Sequence, residues 1–252
     1  MKEPVIIIGM GEMGGVFARG FLRLGHPVYP VTRKMDLATE APHMPEPALV
    51  LVAVAENDLE EIMEKIPPFW SDRIVLLQNE LLPRDWQTYE MDPTVISVWF
   101  EKKKGQDAKV IIPSPVFGQH AGMIAKALEA IDIPVRILNN SDELLSELVI
   151  KNLYILTSNI CGLKVGGTVG ELWEKNESLA RAVASEILSI QEWLTGQTFD
   201  AESMIQSMLL AFDGDKEHKC MGRSAPARLE RAMGLAQEAG LTVPTLSEIS
   251  QH

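Results

Sequence analysis

The chain is short of cysteine and of positive charge, and it has no long uninterrupted apolar run. Its 252 residues include two cysteines, Cys161 and Cys220. They have neither CxxC nor metal-ligand spacing, which argues against a disulfide scaffold and a cysteine metal site and is in keeping with reduced thiols in a cytoplasmic protein. Lys and Arg number 23 against 35 Asp and Glu, a net charge of −12. Nucleic-acid phosphates are held by clustered cations, so no nucleic-acid partner is expected, and an anionic ligand must be met by a local basic group or by backbone amides. The longest apolar stretches, such as residues 48–55, fall far short of the ~20 residues of a membrane span. The first, residues 5–8, is too short for a signal-peptide core, so neither a membrane segment nor an export signal is expected. The histidines, His26, His43, His120, His218 and His252, show no metal-ligand spacing.

What remains is an ordinary globular composition, with 46% hydrophobic and 23% charged residues, enough for one large domain or two modest ones. Apolar runs predict strands over 5–8, 27–31, 49–53, 74–77, 95–100, 110–112 and 133–138. Helical stretches over 13–24, 59–66 and 120–130 lie between them. Unbroken apolar strands alternating with helices signal a parallel sheet covered on both faces. After Asn139 the pattern turns helical, with Ser141 or Asp142 as N-cap and helices predicted over 143–160, 177–194, 201–211 and 225–239. The expected fold is α/β: an N-terminal Rossmann-type, doubly wound parallel sheet over residues 1–140, then an all-helical domain over 141–252.

The most specific motif is Gly9-Met10-Gly11-Glu12-Met13-Gly14, directly after the first strand. In a dinucleotide site the first glycine permits the strand-to-helix turn, the second lets a pyrophosphate approach the backbone, and the third lets the helix pack on the strand. The helix N-terminus supplies amide donors and a favourable dipole. The second strand ends Val31-Thr32-Arg33-Lys34, with no acid before Asp36. An acid there would suit the ribose hydroxyls of NAD, whereas Arg33, seconded by Lys34, suits the 2′-phosphate of NADP. NADP is therefore the expected cofactor.

Further residues follow in a familiar order. Gly25-His26-Pro27-Val28 leads to Arg33, and Gln78-Asn79 closes a strand. Lys151 lies on the first helix of the second domain, Asn159 precedes Gly170-Glu171-Leu172, and Ala239 to Pro244 forms the tail. This succession resembles the ketopantoate reductase (2-dehydropantoate 2-reductase) family, of which the chain looks like a divergent member. The resemblance implies NADPH-dependent reduction of a small 2-oxo acid or related carbonyl to an alcohol. It makes Arg33 the NADP-phosphate arginine, places Asn79 by the nicotinamide and substrate, and makes Lys151 the catalytic lysine. Asn159 becomes a substrate-facing amide, and the three residues Lys151, Asn159 and Asn79 are expected to converge in a substrate cleft between domains.

The chain also departs from the family. The amide four residues after the lysine is Ile155, and a second family lysine is Ala55. At the family's catalytic Glu stands Pro226 or, counting back from Pro244, Ser224; Glu230 lies one helical turn beyond Pro226. An alternative reading follows, a non-catalytic NADP-binding sensor or structural protein.

Lys151 sits among Leu148, Val149, Ile150, Leu153 and Tyr154, so it either snorkels to water or lines a cleft. Four-residue spacing puts Lys151, Ile155 and Asn159 on one helix face, and a lysine serves as an acid once burial lowers its pKa. Residues 101–104 read as a solvated loop, and Asp213, Asp215, Glu217 and His218 as a solvated turn. The amphipathic 177–194 segment leaves room for a homodimer.

Overall fold

Four consecutive apolar residues, Val5–Ile8, form strand β1 and are buried along their whole length. That burial is possible only inside a sheet covered on both faces. The computed structural model describes residues 2–251, so His252 lies outside it. The chain divides into two units, residues 1–147 and 148–252.

In the first unit β1 is followed by α1 (Glu12–Arg23), β2 (Val28–Val31), α2 (Leu37–Glu40), β3 (Leu49–Val52), α3 (Leu59–Lys65) and β4 (Ile74–Leu76). Then come α4 (Arg84–Gln87), β5 (Thr94–Ile96), β6 (Phe100–Glu101), β7 (Lys109–Val110), β8 (Ser114–Phe117), α5 (Ala121–Glu129) and β9 (Val135–Ile137). Seven strands form one sheet in the order β2-β1-β3-β4-β5-β8-β9. All pairings are parallel except β5 with β8. Phe17 and Phe21, four residues apart on α1, join Ile124 and Leu128 of α5 and Ile7 and Leu51 of the sheet in one core cluster. Each such buried side chain contributes about 1.5–3 kcal/mol.

Two strand expectations need correcting. The apolar run 95–100 is not one strand: the main sheet keeps β5, while β6 pairs with β7 in a separate antiparallel ribbon. The sequence alone predicts no strand at β8. Pro113 and Pro115 argue against one, yet Pro115 is held through its carbonyl, which accepts from Ser97 N at 2.9 Å.

Register decides where a ligand can sit. Ile8 of β1 is level with Val31 of β2 and with Val52 of β3. The carboxyl ends of three neighbouring strands thus reach one rim together. β1 lies between β2 and β3, so this rim is the place where the chain direction across the sheet reverses, the customary ligand crevice of such sheets.

The second unit is helical, built from α6 (Ser141–Val165), α7 (Val169–Thr195), α8 (Ala201–Gly214), α9 (Ala225–Ala239) and α10 (Pro244–Ser250); the division between units falls within α6. Among its described residues the only β pairing is the isolated Thr168–Lys219 bridge. Asn140, rather than Ser141 or Asp142, caps α6: its Oδ1 accepts from Glu143 N at 2.9 Å. α7 begins eight residues before the predicted 177, because Thr168 and Glu171 form a reciprocal capping box and Asn176 is a non-helical kink inside the helix. By length and composition α6 is apolar enough to cross a membrane, although polar residues interrupt its apolar runs; 78% of its most apolar window is buried inside the fold, as in a core helix. Cys161 and Cys220 are buried and unbridged. Burial pushes the Cys161 thiol up to about 12 and the Cys220 thiol up to about 11.

Candidate dinucleotide-binding site

The glycine loop joins β1 to α1 and dictates its own composition. Gly9 has φ +96°, and a Cβ there would lie 2.5 Å from the Ala53 carbonyl oxygen. A Cβ on Gly14 would fall 2.1 Å from the Gly9 carbonyl oxygen. Both positions therefore require glycine. Gly11 differs: it is the N-cap of α1 and a Cβ there would meet nothing within 4 Å. Open space lies above the helix N-terminus, where backbone amides favour anions.

A cavity of about 710 Å³ opens beside this loop, within the usual size range of small-molecule sites. Gly9, Met10 and Gly11 line it at one end, and Arg33, Asp36, Asp58 and Lys65 bring charge to its lining. Arg33 donates from Nη2 to Asp58 Oδ2 at 2.9 Å, with the guanidinium side chain 88% exposed. Asp36 is engaged in capping α2 through Thr39 N, and the Thr39 hydroxyl holds its carboxyl below the usual carboxylate range. Ala55 lines the same cavity and brings no charge.

Glu12 faces a second, more open recess of about 360 Å³ lined also by Met10, Gly11, Arg19 and Lys102. Lys102 Nζ donates to Glu12 Oε2 at 3.0 Å and to the Lys103 carbonyl at 2.9 Å, with its side chain 18% exposed. Lys102 is thus docked on the glycine loop rather than solvated with residues 101–104. Nothing in the sequence pairs residues 12 and 102, so pattern reading could not find it.

The other expected site residues are placed as follows. Met13 packs on the hydrophobic core rather than lining either cavity. Lys34 is exposed and outside both linings. Asn79 is exposed just beyond β4, next to Gln78, whose buried amide donates to the Val52 carbonyl at 2.7 Å.

In the second unit Lys151, Ile155 and Asn159 are all buried on α6, with Lys151 9% exposed. Lys151 Nζ lies 5.6 Å from the Tyr154 ring centroid, within cation–π range. Tyr154 in turn meets the rings of Phe212 and His218 at 5.5 and 5.9 Å. His218 therefore packs on an aromatic ring instead of standing in a solvated turn. Asn159 Oδ1 accepts from Arg228 Nη1 at 3.0 Å, a partner 69 residues away that sequence reading missed. Ser224 and Pro226 are both exposed at the start of α9 and supply no carboxylate.

No protein-family model matches the chain, and no curated protein matches it by sequence. Solved structures do match over nearly its whole length. A ketopantoate reductase of the PanE/ApbA family from Ralstonia eutropha is 15% identical with a TM-score of 0.68, covering 98% of this chain and 96% of the other. A dimeric ketopantoate reductase from Staphylococcus aureus is 17% identical with a TM-score of 0.64, at 98% and 96% coverage. D-mandelate dehydrogenase, solved with NADH and anilino(oxo)acetate, is 13% identical with a TM-score of 0.67, again at 98% and 96%. The chain therefore has the fold of these proteins, a Rossmann-type sheet domain followed by a helical domain.

Proposed function

We propose that the protein is an oxidoreductase of the ketopantoate reductase type that binds NADP and reduces a small 2-oxo acid or related carbonyl to the alcohol. The observation that carries this reading is the open helix N-terminus at Gly11, set on the rim of a 710 Å³ cavity whose lining includes Arg33. The loop and cavity fit the group: amides for the pyrophosphate, Arg33 for a 2′-phosphate, with Lys34 close by in sequence. The whole-length likeness to two ketopantoate reductases and a D-mandelate dehydrogenase supports the same class.

When bound, the reduced nicotinamide supplies the hydride. The protein's own task is to orient the carbonyl and to protonate the developing alkoxide. We assign proton delivery to Lys151 Nζ, and orientation of the substrate to the amides of Asn159 and Asn79. The first unit is the dinucleotide-binding part; the second takes the substrate and offers the surface for a homodimer, a state in keeping with the dimeric Staphylococcus aureus ketopantoate reductase. The unbridged thiols support a reducing, cytoplasmic setting.

A second reading has a specific observation in its favour. No carboxylate stands at Ser224 or Pro226, so a protein that binds NADP without turnover is the alternative. Fluorescence titration with NADPH, followed by NADPH oxidation across a panel of 2-oxo acids, decides between them. Binding with turnover supports the reductase, binding without turnover the alternative, and no binding removes both.

A further inference from the structure

We propose that the cavity beside the glycine loop takes NAD as well as NADP, with Asp58 accepting from the ribose hydroxyls of NAD and releasing Arg33 to the 2′-phosphate of NADP. The proposal rests on the dinucleotide reading and adds to it a second cofactor and the residue that sets the choice between the two.

A dinucleotide site that selects NAD carries an Asp or Glu at the end of its second strand, and here that end is Thr32-Arg33-Lys34. The fold brings an acid to Arg33 from the next crossover instead. Asp58, 25 residues further on, accepts from Arg33 Nη2 on its Oδ2 at 2.9 Å, and both residues line the cavity.

Asp58 stands at the N-cap position of α3, yet its side chain makes no capping hydrogen bond there. Asp36, nearer to the strand end in sequence, is committed: its Oδ2 accepts from both Thr39 N and the Thr39 hydroxyl. Asp58 Oδ1 accepts from no donor among the described residues, and the side chain is 40% exposed. A carboxylate with one oxygen open is an acceptor for a ribose hydroxyl. NAD therefore leaves the ion pair in place, Oδ2 on Arg33 and Oδ1 on the sugar. A phosphate has no proton to offer Asp58 at neutral pH, and it takes the exposed guanidinium fork in its stead.

The charge of the cavity points the same way. Its lining carries Asp36, Asp58 and Glu61 against Arg33 and Lys65, and Lys65 donates to Glu61. Such a lining gives a phosphate dianion no general electrostatic advantage over a neutral diol, so the preference comes down to Arg33 and its partner.

The test is fluorescence titration with NADPH, NADH and an NADH analogue that lacks the 2′-hydroxyl of the adenosine ribose. Wild type should bind both natural cofactors, with NADPH preferred by roughly tenfold or less, because the phosphate contact is partly offset by the ion pair it displaces. The 2′-deoxy analogue should bind several-fold more weakly than NADH. Asp58→Ala should abolish that difference by weakening NADH, and should widen the preference for NADPH. Asp58→Asn, which keeps the shape, should place both effects between those of wild type and Asp58→Ala. Arg33→Ala leaves an unpaired carboxylate facing the phosphate and should invert the preference towards NADH, a result that a merely structural ion pair would not give. Wild type that binds NADPH but not NADH overturns the assignment. So does equal binding of NADH and its 2′-deoxy analogue to wild type, or an equal loss of NADPH and NADH in Asp58→Ala. Failure of every one of these nucleotides to bind overturns the dinucleotide reading instead, so the two failures are told apart.

Discussion

Arg33 Nη2 and Asp58 Oδ2 meet at 2.9 Å across the cavity beside the glycine loop, 25 residues apart in sequence. To hold a 2′-phosphate, Arg33 must exchange this carboxylate for the ligand. An exposed pair of this kind is worth at most about 1 kcal/mol, less than a charge-assisted phosphate contact, so the exchange is favourable. Arg33→Ala should weaken NADPH by about 1.5–3 kcal/mol and NADH little. Asp58→Asn should tighten NADPH a few-fold. Fluorescence titration with both cofactors measures each; equal losses for NADPH and NADH in Arg33→Ala would remove Arg33 from the 2′-phosphate.

The loop glycines should separate folding from binding. Gly11→Val places its side chain in open space and should abolish NADPH binding with the melting temperature nearly unchanged. Gly14→Ala forces a Cβ to 2.1 Å from the Gly9 carbonyl oxygen and should lower stability whether or not cofactor is present. Thermal melts with and without NADPH check both outcomes.

Glu12 places a negative charge in the first turn of α1, beside the space assigned to the pyrophosphate, and Lys102 offsets it. Lys102→Met should weaken NADPH and NADH alike, several-fold at low ionic strength. Glu12→Gln should tighten both. The differences should shrink as salt rises, because a Debye length of about 10 Å at 0.1 M screens such contacts. A titration series in salt is the measurement, and insensitivity in both variants would show the pair to be structural.

Lys151→Met keeps the aliphatic stem beside Tyr154 and removes the proton. If the protein is a reductase, kcat should fall by roughly 10²–10⁴ with NADPH affinity unchanged. Full activity in this variant would exclude Lys151 as the proton donor.

The capping box of α7 makes a stability prediction. Thr168→Ala should cost about 1 kcal/mol and lower the melting temperature by roughly 2–4 °C for a chain of this size. The Lys175 side chain, and then the Thr168 backbone N–H, hold the Glu171 carboxyl below its usual range. Its contribution is present above the unfolded carboxylate value and is lost as pH falls through the lower folded one. The stability gap between wild type and Glu171→Gln should therefore narrow on acidification, which melts across pH can follow.

The parts legible in sequence were those encoded locally. β1 through α1, with Gly9 and Gly14, could be read because strand, turn and helix are continuous in the chain and each imposes its own residue type. The ribbon β6–β7 and the proline-bearing β8 could not. Whether Phe100 joins the main sheet or leaves it is decided by a partner, Val110, and Pro115 is tolerated through bonds made by its carbonyl. The contacts that most change the reading of the sites, Arg33 with Asp58, Glu12 with Lys102 and Asn159 with Arg228, span 25, 90 and 69 residues. Side-chain chemistry named their members as candidates or as solvated residues, but only the fold brings them together.

Both thiols of the chain belong to its helical half. Each is closed off from solvent and, with its pKa at about 12 or about 11, almost wholly protonated at neutral pH. A maleimide or a disulfide reagent attacks the thiolate, so the folded protein should be nearly inert to labelling. Modification would then clock the opening of residues 148–252 alone, while the sheet domain stays silent. The protein thus carries a built-in chemical stopwatch for one of its two halves. Adding NADPH should slow that clock only to the extent that the cofactor makes the helical half harder to open.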